Sequence, residues 1–296
     1  MKIGVFANCE KPTARQTLRA LDEAAARLGL ELVAAEPAAG MLKSVRGPVS
    51  PSDLARSADI LLVMGGDGTM LRAFRSLDGA DVPMMGVNLG GLGFLTSVSQ
   101  SDLGQALECL AAGRFSVGER SVAQCEVVRA GRRSGRHQAL NDVVVERGGS
   151  PRIVGLNVTM DGEEVLYSLC DGLVVATPTG STGHSLSAGG PVLDPDLAAF
   201  VLTLICPHTL SGRPLVVPDS RTLTIEIDRC EGEVMLSIDG QRGPALRAGD
   251  AVRVSRGQAR ARFVRLPGFN HFSLLRQKLH WRGAAMHSAQ AGGPGA

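Results

Sequence analysis

The sequence predicts two domains, an open α/β sheet followed by an all-β sandwich of two sheets. Strand-like apolar runs and helical spacings alternate as far as about residue 115, the pattern of a largely parallel sheet. From Arg120 onward short strands dominate, two of them joined by Asp161-Gly162, a strong hairpin signal. Helical spacing returns at 270–281, a helix expected to pack back on the first domain. The expected division is 1–118 for the α/β domain, rejoined by 268–283, with 119–267 for the sandwich. Residues 284–296, rich in Ala and Gly, read as a disordered tail.

Each element has its own signal. Residues 2–8 are continuously apolar, as a buried strand is. Over 12–28, Leu18, Leu21, Ala25 and Leu28 recur at helical spacing, with Pro12 near the start and Gly29 at the stop. A strand at 30–34 follows. Residues 36–52, with three prolines and two glycines, read as a loop. Strand 59–64 runs into a glycine-rich turn and a helix over 69–77; strand 84–87 and helix 102–112 complete the domain. In the second domain, strands are expected at 121–128 and 139–147, with an Arg-rich turn over 131–137 between them. Further strands are expected at 153–160, 163–169, 172–177, 200–206, 222–228, 233–239, 250–255 and 259–265.

Composition narrows the function. The chain has 296 residues, 44% of them hydrophobic, enough for a sizeable core without staples. A net charge of +2 is too small for a nucleic-acid partner, and one Trp, one Tyr and eight Phe argue against base stacking. The six cysteines form no CxxC pair and lie among apolar residues, as reduced core thiols do. No apolar run reaches the ~18 residues of a membrane span, and no signal-peptide pattern is present. No membrane partner is expected, and the cytoplasm is the expected compartment.

The chemistry concentrates at Gly65-Gly66-Asp67-Gly68-Thr69, where an apolar strand stops and a helix follows. Ligands of open α/β sheets bind beyond the carboxyl ends of the strands. Glycines let a phosphate approach backbone N–H groups, and a helix N-terminus adds positive partial charge. A carboxylate in such a cradle repels phosphate, so Asp67 needs a reason: accepting a proton or holding Mg²⁺. A plain Gly-Asp-Gly turn with a helix cap is the bland alternative, and spacing alone leaves both open. The P-loop and the first-strand dinucleotide fingerprint are both absent.

Three further stretches join it. Asn88-Leu89-Gly90-Gly91-Leu92-Gly93-Phe94-Leu95 follows a short buried strand and reads by itself as a tight turn. Asn141-Asp142, ahead of Val143-Val144-Val145, is either a solvated strand end or a reader of a ribose diol and a base edge. Asp171 to Pro191 ends a strand at Thr177-Pro178 and continues in small hydroxylic residues and glycines. These can form a polar wall for ribose and phosphate; a flexible linker is the alternative.

The first motif resembles the signature shared by NAD kinases, diacylglycerol and sphingosine kinases and, more distantly, phosphofructokinases. Asn88–Leu95 is similar to the NxGxLGFL segment of NAD kinases. The 171–191 stretch resembles their DGxxxxTPTGSTAYxLSAGGP block almost residue for residue. Pro207 to Val217 resembles their PHTLSxRPLVV run, and Asp239-Gly240-Gln241 their DGQ turn. The five motifs come in family order and the resemblance covers about Gly4 to Phe272. The chain departs from the pattern at Gly183 (usually Ala), at His184 (usually Tyr) and at Asp142 (usually Glu). A histidine at the position that packs on the dinucleotide can carry charge near neutral pH.

What the resemblance implies is phosphorylation of the 2′-hydroxyl of the adenosine ribose of NAD, with ATP or polyphosphate as donor. The first domain would bind the donor and the sandwich NAD. Gly65, Gly66, Gly68 and Thr69 would cradle phosphates, with Arg72 near them and Asn88 walling the site. Asp67 would accept the hydroxyl proton late in transfer, since an aspartate of ordinary pKa, about 3.9, is too weak to remove it beforehand. Asn141, Asp142, Arg152, Asp171, Thr182, Gly183, His184, Ser185, Leu186, Ser187 and Gln241 would hold the nucleotide. Mg²⁺, or another divalent cation, would be held mainly by donor phosphates and water, with no metal-ligating residue assigned. A homodimer or homotetramer is implied by the same analogy. Two other readings are a lipid kinase with the same Gly-Gly-Asp-Gly core and a non-catalytic NAD(P)-sensing module.

Overall fold

The computed structural model describes residues 1–281 apart from 46, 78, 92, 150 and 151; the expected tail at 284–296 lies outside them. The chain divides into two compact units, Met1–Val117 with Val264–Ala296, and Gly118–Phe263. The elements of the first stretch are β1 (Lys2–Ala7), α1 (Ala14–Leu28), β2 (Glu31–Ala34), α2 (Pro51–Ser57), β3 (Ile60–Gly65), α3 (Asp67–Ser76), β4 (Met84–Asn88), α4 (Leu103–Ala111) and β5 (Ser116–Arg120). Then come β6 (Ala123–Arg129), β7 (Arg132–Ala139), β8 (Asp142–Arg147), β9 (Val154–Met160), β10 (Glu163–Cys170), β11 (Gly172–Ala176) and α5 (His184–Ser187). The remainder holds β12 (Ala199–Ile205), β13 (Leu215–Pro218), β14 (Leu223–Arg229), β15 (Val234–Ile238), β16 (Gln241–Leu246), β17 (Ala251–Arg256), β18 (Ala261–Arg265) and α6 (His271–Lys278).

In the first unit β2, β1, β3 and β4 lie side by side and parallel. All six residues of β3 are buried, which is why its sequence is a continuous apolar run rather than an alternation. Helix α1 turns Leu18 and Leu21 into a core shared with Ile3, Val5, Leu62 and Leu107. It stops at Gly29, whose φ of 65° is the left-handed conformation that glycine tolerates. β18 and β5 extend the sheet to the order β2-β1-β3-β4-β18-β5. Helix α6 belongs to this unit, as expected: Leu274 and Leu275 are buried, and Lys278 Nζ lies 5.5 Å over the Phe94 ring.

The second unit holds two antiparallel six-stranded sheets, β10-β9-β14-β17-β6-β7 and β13-β12-β11-β8-β15-β16. Val143, Val145, Leu173, Phe200 and Leu236 from one meet Leu156, Val158, Ile225, Val252 and Val254 from the other in a single core, the sandwich expected. The Asp161-Gly162 hairpin is present, with φ of 50° and 89° at its two turn residues.

Four strands depart from the sequence reading. β5, β13 and β16 were unassigned, and the Arg-rich turn expected over 131–137 is the strand β7, entered through a tight turn at Ala130-Gly131. All four stand at sheet edges. An edge strand faces water, so it needs no apolar alternation and carries charge against mispairing. In β7, Arg133 and Arg136 flank Glu126 at 3.7 and 3.6 Å. Helix α2, which the sequence reading leaves unassigned, begins inside the end of the expected loop over 36–52. Ser50 caps it, accepting the Asp53 N–H at 3.1 Å, and Pro51 opens its first turn. Among the described residues no helix is long and apolar enough to cross a membrane.

Phe200 is fully buried at the centre of the sandwich core. Phe200→Ala should cost about 3–5 kcal/mol of stability, measured by urea unfolding. A loss under about 1 kcal/mol would mean that this core is not packed as described.

Candidate active site

One group of the predicted residues lies in the first unit. β3 ends at Gly65, opposite Asn88 of β4. A Cβ on Gly65 would fall 2.2 Å from Thr69 Oγ1, so only glycine lets the buried Thr69 fold beneath the turn. Gly66 precedes the first helical residue and Asp67 is that residue. The helix thus begins two residues before the expected 69, which puts the Asp67 carboxylate on its positive end. The carboxylate is held from the other side as well. Oδ2 accepts the Phe94 N–H at 2.8 Å, and Oδ1 accepts the Leu95 N–H at 2.9 Å. Gly93 passes so close that a Cβ there would fall 2.0 Å from Asp67 Oδ1. The turn after β4 therefore closes on Asp67, while each carboxylate oxygen keeps lone-pair capacity for another donor.

The other predicted residues of this unit have distinct settings. Asn88 is buried, and its Oδ1 accepts the Gly90 N–H at 2.9 Å, bending the chain back over the end of β3. Gly68 is exposed on the first turn of α3. Arg72, one turn further, is exposed, with its guanidinium 5.4 Å above the Phe6 ring and no ion pair among the described residues.

A second group lies in the second unit. β8 begins at Asp142, which stands opposite Ala176 of the antiparallel β11. Where β11 ends, the Thr177 N–H donates to the Asn141 carbonyl at 2.8 Å and its hydroxyl to the Leu140 carbonyl at 2.6 Å. A Cβ on Gly180 would fall 2.1 Å from the Asn141 carbonyl oxygen, so the turn lies directly on that backbone. The stretch is not a linker. It forms one 3-10 turn over Gly180–Thr182 and then the single turn of α5. The Ser181 hydroxyl donates to the Pro178 carbonyl at 2.7 Å. Ser185 is fully buried, its hydroxyl 2.9 Å from that of Thr203, so it braces the turn rather than lining a cleft.

This packing gathers part of the predicted set. A Cβ on Gly183 would lie 3.9 Å from Asn141 Nδ2 and 4.0 Å from Asp142 Oδ2, so Asn141, Asp142 and Gly183 share one surface. Asn141 Oδ1 is enclosed and accepts no hydrogen bond. Burial, and then the negative charge of Asp239, push the Asp142 carboxyl up to about 7. Thr182 is half-buried, its hydroxyl donating to the Thr179 carbonyl at 3.2 Å; Leu186 is half-buried, and His184 and Ser187 are exposed. Gln241 is exposed just past the β15–β16 turn.

Asp239, in that turn, is a residue the sequence reading passed over in favour of Gln241. Its Oδ2 accepts the Leu140 N–H at 3.0 Å, and its Oδ1 accepts those of Asn141 at 2.7 Å and Asp142 at 3.2 Å.

Two predicted residues are not brought to this surface. Asp171 adjoins Gly172, which pairs with Glu146 at the opposite end of β11 from Ala176, about 13 Å away at ~3.3 Å per residue. It is ion-paired there with Arg147 Nε at 2.9 Å. Arg152 follows the same far end of β8, exposed and ion-paired with Glu231. Among the described residues no three His, Cys, Asp or Glu side chains gather as metal ligands.

The two glycines of the turn should respond differently to a methyl group. Gly180→Ala drives Cβ into backbone and should lower Tm by roughly 4 °C or more, as an overpacking cost of about 1–3 kcal/mol or above implies. Gly183→Ala comes tight only to the Gly180 carbonyl, at 3.3 Å, with Asn141 and Asp142 in ordinary contact, and should stay within roughly 2 °C. Equal losses would contradict the packing of this turn.

The model of the ATP-NAD kinase N-terminal domain matches residues 3–115, and that of the C-terminal domain matches 140–266. The NAD kinase of Syntrophotalea carbinolica is 38% identical over 280 residues, covering 95% of this chain and 98% of that protein. The NAD kinase of Moorella thermoacetica is 42% identical over 279 residues, covering 94% and 89%. Among solved structures, yeast NADH kinase complexed with NADH superposes with a TM-score of 0.84 at 26% identity, covering 96% of this chain and 88% of that one. The Archaeoglobus fulgidus NAD kinase in complex with ATP gives 0.74 at 26% identity, covering 95% and 99%. With both domain models matched and relatives aligned along nearly its full length, the chain belongs to the NAD kinase family of enzymes.

Proposed function

We propose that this protein transfers the terminal phosphoryl group of ATP, or of polyphosphate, to the 2′-hydroxyl of the adenosine ribose of NAD, with Asp67 as proton acceptor. The observation that carries the reading is the Asp67 carboxylate, fixed by two backbone N–H groups at the positive end of α3. A carboxylate that only capped the helix would not need a second loop closed over it. Fixed in this way, it can orient a hydroxyl and take its proton as the O–P bond forms, without reorganising first.

Phosphoryl transfer is mainly positioning and charge stabilisation. The exposed first turn of α3 offers backbone N–H groups of Asp67 and Gly68 to donor phosphates. The chemistry a divalent cation would supply here is neutralisation of the donor's negative charge, and donor phosphates and water, with no side chain of this chain assigned, would hold it. On the acceptor side, Asn141 brings an enclosed, unsatisfied oxygen, suited to an N–H donor such as an adenine amine. Asp142 supplies a carboxyl able to receive a ribose diol.

The test is a coupled assay with purified protein, Mg-ATP and NAD, read through an NADP-specific dehydrogenase. Wild type should turn over, and Asp67→Asn should lose about 10²–10⁴-fold in kcat. Asparagine keeps one acceptor oxygen but sets an N–H₂ against a backbone N–H, so Tm should fall modestly and is followed in parallel. Turnover of Asp67→Asn within threefold of wild type would rule out the assigned role.

A further inference from the structure

We propose that Asp239 is a positioning residue of the nucleotide subsite: its carboxylate clamps the chain at Leu140–Asp142 and sets the direction of the Asn141 and Asp142 side chains. The inference rests on the reading that this surface binds NAD.

Asp239 and Gly240, with φ of 48° and 72°, form the two-residue turn between β15 and β16. An Asp-Gly pair suits such a turn for conformational reasons alone. The side chain does something the turn does not require. It reaches β8, in the neighbouring position of the sheet, and accepts three consecutive N–H groups at 3.0, 2.7 and 3.2 Å. The backbone answers, with the Asp239 N–H donating to the Asp142 carbonyl at 3.0 Å. Asn141 and Asp142 thus leave the clamp with their peptide planes fixed and their side-chain ends beside Gly183. Both Asp142 and Asp239 are buried, 6% exposed each.

Two carboxylates this close do not both ionise freely. Three N–H donors stabilise the charge on Asp239, and Asp142 yields: its carboxyl is pushed up to about 7, by burial first and Asp239 second. Other titratable and charged groups are described around the pair. From β6 comes Cys125, whose thiol is pushed up to about 12 by burial, then by Asp239 and Glu126, and so stays neutral. The 177–183 turn brings hydroxyls and glycines, with the Arg120 guanidinium 3.5 Å from the Thr179 hydroxyl behind it. His184 follows on α5, exposed. A carboxylate accepts both hydroxyls of a ribose diol; a carboxylic acid does so poorly. Nucleotide affinity therefore rises with pH as Asp142 loses its proton, and Asp239 sets where that rise occurs.

The experiment has two readouts on the full chain, both in a His184→Tyr background so that the histidine does not titrate. The first is the ¹³C shift of the Asp142 carboxyl carbon against pH. It should titrate near 7 and move down in Asp239→Asn, which removes the charge but keeps the turn. Asp239→Glu, which keeps the charge, should restore the higher value. The second is the dissociation constant for NAD by calorimetry between pH 5.5 and 8.5. It should weaken about tenfold per pH unit below the midpoint. The midpoint should fall with Asp239→Asn, and the dependence should vanish in Asp142→Asn.

An Asp142 titration near 4 in the parent protein, or one unmoved by Asp239→Asn, overturns the proposal. So does an NAD midpoint that stays in place while the Asp142 titration moves. If Asp239→Asn fails to fold, Asp239→Ser takes its place; it keeps an acceptor oxygen without the charge and should also lower the Asp142 titration, and an unmoved titration overturns the proposal. Absence of NADP formation alongside the predicted titrations and affinities would strike the catalytic reading and leave the clamp standing.

Discussion

Two hydrogen bonds, from the Phe94 and Leu95 N–H groups to the Asp67 carboxylate, fix the chemistry of the first unit. An acid beside a phosphate cradle is costly unless its charge is answered. Here it is answered three times, by the two N–H donors and by the first turn of α3. The glycines follow from that arrangement. Gly93 is needed because the strap touches the carboxylate, and Gly65 because Thr69 folds beneath the turn. What first reads as a loop built of glycine for flexibility is a tightly packed corner, in which small residues allow close approach.

The second unit, taken by itself, repeats the device. Asp239 accepts three successive N–H groups and holds the Asn141-Asp142 edge as Asp67 holds the 93–95 strap. In both places a carboxylate immobilises backbone, half-buried at Asp67 and buried at Asp239, so each side chain is held in one direction. The difference lies in the neighbour. Asp67 stands at a positive helix end, whereas Asp142 stands against another carboxylate and has its carboxyl pushed up to about 7. The 177–187 stretch buttresses this edge from the other side, with Gly180 pressed on the Asn141 carbonyl and Ser185 bonded to Thr203.

Much of this was legible in the sequence because burial leaves a pattern. β1, β3 and β11 are covered on both faces and read as apolar runs; the Asp161-Gly162 turn carries its own conformational signal. The strands that went unread, β5, β7, β13 and β16, are edges, where nothing forces alternation. Helix α2 was hidden by counting Pro51 as a breaker, though Ser50-Pro51-Ser52-Asp53 is a helix start once the cap is considered. At the site, adjacency in a motif is not adjacency in space. Asp171 and Thr177 fall in one block, but a strand separates them, and Asp171 pairs with Arg147. Ser185 reads as a ligand contact because it is a hydroxyl among glycines; only packing shows it turned inward. Asp239 was invisible for the opposite reason: an Asp-Gly turn already explains its aspartate, and the second task appears only when β8 lies beside it.

The account stands on where the phosphate goes. The decisive measurement is the ³¹P NMR spectrum of the product formed from NAD and Mg-ATP by the purified protein. A phosphomonoester resonance coupled to the adenosine ribose H2′ is the predicted result. A phosphate on any other hydroxyl, or release of inorganic phosphate with NAD unchanged, would contradict it.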